Sequence, residues 1–226
     1  MHLPTAALLA LADQRLPSGG HVHSGGMEQA VADGLVADAV TLRAFLTRRL
    51  LTAGRVAAGL AAAATALDTA GVARLDAEAD ARMPAPGARD ASRAQGRGLL
   101  RTARAGWAAP HPDLAWTDLG PRPHHPVVLG CAVRAAAGAP DPAGAALVAA
   151  YLSVTGPATA AQRLLGLDPV AVAAATLALN DEIEQVAAAA AVAASGPWAQ
   201  LPDDGDPLLD LLAQRHAGRE MTLFAS

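Results

Sequence analysis

The sequence contains no lysine; all 17 of its basic residues are arginine. A phosphate-cradling GxxxxGK[ST] loop needs a lysine, so the chain is not itself a P-loop GTPase or ATPase. Schiff-base and lysine-general-base chemistry are excluded with it. The single cysteine, Cys131, allows neither an internal disulfide nor a CxxC metal site, and a reducing cytoplasm is the compartment to expect. A basic surplus is also missing. The formal net charge is −4 and aromatic residues make up 3% of the chain, so neither phosphate-backbone binding nor base stacking is expected. The N-terminus lacks the basic region and small-residue cleavage site of a signal peptide. Two uncharged stretches, 142–162 and 185–202, are Ala-rich and broken by Gly-Pro, without the Leu/Ile/Phe density of a membrane span.

What is present is alanine, 60 residues of the 226. With leucine and arginine it favours helix, and no run alternates at period two. The expected architecture is all-α: one multi-helix bundle over 1–226 with a Gly/Pro-rich N-terminal loop, and flexible connections near 82–88 and 108–126. Helices are predicted over 4–13, from Gly26 to about Leu35, and from a cap at Asp38 or Thr41 to about Asp68. Asp76, Glu78 and Asp80 read as a short charged stretch. Further helices are predicted over 88–107, 126–138, 142–156, 157–167 and 169–195. A last one starts at Asp206-Pro207, with Leu208, Leu209, Leu211 and Leu212 as its apolar face.

Several residues invite chemistry. His21 and His23 sit in a loop flanked by Gly19-Gly20 and Gly25-Gly26. Two histidines are an incomplete metal site, and the glycine order is not GxGxxG, so a structural turn fits best. A metal carrier using His21, His23 and His124 or His125 is the alternative function. Adjacent His124 and His125 point apart, and Pro126 sets a helix start. Ser24 beside His23 and Glu28 tempts a hydrolase reading, but neighbours in one loop seldom form a triad, and no oxyanion element is visible. Arg89, Arg93, Arg97, Arg101 and Arg104 share a helix face, read as solvated or as a protein contact. The tail ends in an apolar pair, Leu223-Phe224, which must dock on its own domain or on a partner.

These segments carry a resemblance. Leu16-Pro17-Ser18-Gly19-Gly20-His21-Val22-His23-Ser24-Gly25-Gly26-Met27-Glu28 resembles the LPxGGxxxSxGLE signature of the urease accessory protein UreF family. Met27 stands in the leucine place. Arg89–Gly96 resembles that family's R-x-x-S helix, His125–Gly130 its HxPVxxG element, Ala161–Leu164 its basic-Leu segment, and the tail its RHE…RLFxS. The chain departs at Ala217, Thr222 and Ala225, where charges of the family pattern are missing. The resemblance implies an all-helical, non-enzymatic assembly factor without a cofactor of its own. It would bridge the UreD/UreH scaffold and the UreG GTPase, act on the urease apoenzyme as a homodimer, and help nickel reach it while the partner binds GTP. The residues implied for partner contact are Leu16, Pro17, Gly19, Gly20, Ser24, Gly26, Met27, Glu28, Arg163, Arg215, His216, Leu223 and Phe224. Glu28 is expected on the GTPase-facing surface, with Arg163 as a second polar contact.

Overall fold

The computed structural model describes residues 5–17, 22–107 and 119–225. Eleven α-helices and no strand appear among them. They are α1 (Thr5–Ala12), α2 (Met27–Ala32), α3 (Ala39–Arg49), α4 (Arg55–Ala64), α5 (Thr69–Ala81) and α6 (Pro86–Trp107). α7 (His125–Ala137), α8 (Pro142–Leu165), α9 (Pro169–Leu177), α10 (Asn180–Ala193) and α11 (Pro207–Ala217) complete the set.

Proline and aspartate explain most of the starts. Asp141-Pro142, Asp168-Pro169 and Asp206-Pro207 open α8, α9 and α11, each aspartate accepting a backbone N–H of the first turn. Proline at the first helical position loses no needed donor. Asp38 caps α3 and exchanges bonds with Thr41, so both nominated residues act in one capping box. Gly138 and Gly166 close α7 and α8 in the left-handed conformation.

Three expectations are corrected. The charged stretch around Asp76 is a full helix, α5: Asp68 caps it, and Val72, Leu75 and Ala79 bury one stripe at helical spacing. The segment 169–195 is two helices, parted at Ala178-Leu179. α8, conversely, is not broken at Pro157. A proline inside a helix orphans the carbonyl four residues back, here that of Ser153. Arg49 supplies the missing donor, its Nε lying 3.2 Å from that oxygen. The predicted long helix from Asp38 likewise runs on through residue 64 but contains a π-helical turn, Leu50–Gly54, directly after Arg49.

The core centres on α4, α7 and α8. α4 packs against α8, α7 and α10, and its residues from Ala58 to Ala64 are all buried. Small residues let these helices approach closely. The Cα of Gly130 on α7 faces the Ala61 carbonyl of α4, with no room for a side chain between them. α8 is long and apolar enough to cross a membrane, but here it is a core helix, its most apolar window 61% buried among α4, α7 and α10. Around this centre α11 packs on α2 and α6, and α2 packs on α8, which brings helices far apart in sequence to one place. Of the predicted α11 face, Leu209 and Leu212 are buried, whereas Leu211 is 53% exposed.

Candidate functional site

Gly25 (φ 62°) and Gly26 (φ 89°) turn the chain into α2 through two successive left-handed residues. Side chains with a Cβ resist that conformation, which accounts for the pair. Just before them, the Ser24 hydroxyl accepts the Glu28 backbone N–H at 3.2 Å, and Met27 is fully buried.

Glu28 is the centre of the site. One carboxylate oxygen accepts the Leu223 N–H at 2.7 Å. The other accepts the Phe224 N–H at 2.9 Å and faces His216 Nε2 at 2.9 Å. The Ala225 N–H adds a bond to the Val22 carbonyl, 2.6 Å. Phe224 is buried, and the Arg163 guanidinium lies 5.0 Å from the centre of its ring. Burial opposes ionisation of Glu28, but the Leu223 N–H, the His216 ring and the Phe224 N–H outweigh it and hold the carboxyl below its ordinary range. The arrangement is a clamp: a buried anion, supplied by α2, fixes the C-terminal tail across 195 residues of sequence.

The expectation for Glu28 is therefore corrected. It is 6% exposed and faces the tail of its own chain. Ser24, Gly26, Met27, His216 and Phe224 are likewise turned inward around it. The outward residues of this region are Arg163, Arg215 (paired with Asp33 at 2.7 Å) and Leu223, which is 60% exposed. The apolar pair thus divides, Phe224 docking on the helical body and Leu223 facing outward beside Met221, itself 85% exposed. Leu16 and Pro17 lie by α6, where Thr102 donates to the Pro17 carbonyl at 2.9 Å. Gly19, Gly20 and His21 fall outside the described residues.

The other candidates separate as their chemistry dictates. His124 is fully buried, its Nδ1 3.0 Å from the Ser92 hydroxyl and its Nε2 2.9 Å from Asp80. With Arg93 bridging Asp76 (3.0 Å) and Asp80 (2.6 Å), this network ties α5, α6 and α7 together. Its residue types match a Ser-His-Asp line, but the imidazole is sealed from any substrate. Part of the arginine face thus points inward, while Arg97 and Arg101 are exposed. The sequence shows Asp76 and Asp80 only as part of a charged stretch, though their i, i+4 spacing puts them on one face of α5. His125 diverges from His124. Burial, then the nearby His23, push its imidazole down to about 4. Among the described residues, no group of three His, Cys, Asp or Glu side chains is arranged to hold a metal ion. Ser24, with its hydroxyl engaged by backbone, and Glu28, engaged by the tail, do not form a triad with His23.

The UreF family model matches residues 36–180. A urease accessory protein UreF of Mycobacterium sp. (strain JLS) is 57% identical over 219 residues, covering 97% of this chain and 97% of that protein. Its counterpart from Mycolicibacterium vanbaalenii is 55% identical, with 98% of each chain covered. That of Mycobacterium tuberculosis is 51% identical over 221 residues, again with 98% of each covered. These relatives are named as urease accessory proteins. A family match over more than half the sequence, joined to near-full-length identity above one half, settles the lineage: the chain belongs to the UreF family.

Proposed function

We propose that this chain serves urease assembly in the cytoplasm as an adaptor. In this reading it joins the UreD/UreH scaffold to the UreG GTPase as a homodimer while nickel is delivered to apo-urease. Nickel is cargo, GTP belongs to the partner, and the adaptor biases the GTPase without hydrolysing nucleotide itself. The observation that carries the reading is the clamped tail. A buried carboxylate holds Leu223 and Phe224 and the Val22 carbonyl holds Ala225, so Leu223 and the nearby Arg163 form a pre-ordered outer surface. Rigid presentation lowers the ordering cost of binding a partner.

The test is co-purification with UreD and UreG, with and without GTP, for the parent chain and for Leu223→Asp and Arg163→Glu. These outward residues can change without unfolding the body. We expect loss of complex and of urease activation with the far-UV circular dichroism unchanged. Full complex formation by both variants would exclude the tail surface as the contact. Co-purification of the parent chain with neither protein would exclude the adaptor role.

A further inference from the structure

A cleft of about 500 Å³ opens between the N-terminal loop, the α3–α4 junction, α6, α7, α8 and α11. Arg49 enters it from the last residue of α3, where the π-helical turn begins. Its Nε donates to the Ser153 carbonyl and its Nη1 to the Gly25 carbonyl at 2.8 Å. Three of the five guanidinium N–H groups remain without a partner among the described residues, and no carboxylate there pairs with Arg49.

Most other charges on the cleft wall are paired. Asp13, Asp90, Asp204 and Asp206 pair with Arg15, Arg122, Arg55 and Arg48. Arg82 pairs with Glu78, and Asp210, whose carboxyl burial raises, has no salt-bridge partner among the described residues. Among the described residues Arg49 is a half-buried cation without a counter-ion. Burial pushes it down to about 10, still charged at neutral pH. A buried charge is ordinarily paired.

Neutral donors stand in the same cleft. His125 lines it with no partner on its ring among the described residues, its backbone N–H reaching the Ser92 hydroxyl. Gln95, nearly one turn beyond Ser92 on α6, lines it with its amide uncommitted among the described residues. A guanidinium already oriented by two carbonyls, in a cleft that also holds uncharged hydrogen-bonding groups, suits an oxyanion and repels a metal cation.

The geometry points to a small-oxyanion site in this cleft, with Arg49 as the charged ligand and His125 and Gln95 as neutral ones. The class is inorganic phosphate, bicarbonate or a short carboxylate. This site is independent of the adaptor role.

The experiment is calorimetric titration of the full chain with phosphate, bicarbonate and acetate, each against chloride at equal ionic strength. Saturable binding by at least one oxyanion and none by chloride is expected. Arg49→Met should weaken it about 10- to 100-fold, the loss of charge-assisted bonds. Because Arg49 also braces α8, Gln95→Leu provides a second arm and should weaken binding several-fold while the protein stays folded. Exposed Arg97→Met should leave the affinity unchanged. A tie between oxyanion and chloride would overturn the site, as would undiminished binding by Arg49→Met or equal weakening by Arg97→Met. In that last outcome the ion follows net charge and not the cleft.

Discussion

Glu28→Ala is the decisive perturbation of the tail clamp. It removes an ionised acceptor from three donors, the N–H groups of Leu223 and Phe224 and the ring of His216. Each bond to a charged group contributes about 1.5–3 kcal/mol. The full sum is not lost, because the tail can swing into water and its N–H groups regain solvent. What is lost is tail docking, chiefly the burial of Phe224, worth about 1.5–3 kcal/mol. His216, 3% exposed, stays behind without its acceptor and adds about 1 kcal/mol or more. Offset by the entropy the freed residues regain, a net loss of about 2–3 kcal/mol is expected, leaving the body folded. For a chain of this length that lowers Tm by about 4–12 °C. Hydrogen exchange gives the sharper assay: the amides of Leu223 and Phe224 should lose protection while those of α4 and α7 keep theirs. The same clamp predicts a pH window. Because the carboxyl of Glu28 is held below its ordinary value, its contribution is complete above the unfolded value of about 4.3. It is lost as pH falls through the lower folded value, so the tail should stay docked at pH 5.5 and release only in stronger acid. Unchanged Tm and unchanged protection of the tail amides in Glu28→Ala would refute the reasoning.

Three further outcomes are open to measurement. Asp206 both caps α11 and binds Arg48 at 2.6 and 2.8 Å. Asp206→Asn should therefore cost about 1 kcal/mol and Asp206→Ala about 2–3 kcal/mol in urea unfolding, a cap alone being worth about 1. Gly130→Ala would drive a methyl into the Ala61 carbonyl and the Ala64 side chain, and should destabilise by about 1–3 kcal/mol with an unchanged denaturant slope. The His125 ring, pushed down to about 4, should titrate by NMR near that value; a midpoint near 6.5 would mean that the cleft is wetter than its packing implies.

The helical class was legible because alanine dominates and because Asp-Pro pairs and glycines punctuate the ends. The misses share a cause. α5 hid because acidic residues alternate with alanine, and the arginine that neutralises Asp76 and Asp80 lies on another helix. Continuity through Pro157 depends on Arg49, 108 positions away in the sequence, which no local rule can see. The site was half legible. Its residues were nominated, and Glu28, Arg163, His216 and Phe224 do converge. Their direction was not legible, since a lone glutamate near a glycine loop reads as surface until the tail is seen to cover it.

The brace between Arg49 and Pro157 has an evolutionary consequence. A helical proline at position 157 is tolerable only while a donor from elsewhere reaches the Ser153 carbonyl. The two positions should therefore not drift independently among descendants. Lineages that replace Pro157 by a residue with its own N–H regain that bond locally, and there Arg49 is released from one of its two backbone duties. Lineages that keep the proline should keep the arginine, so the pair should show as covariation between two sites that no reading of either helix alone would connect.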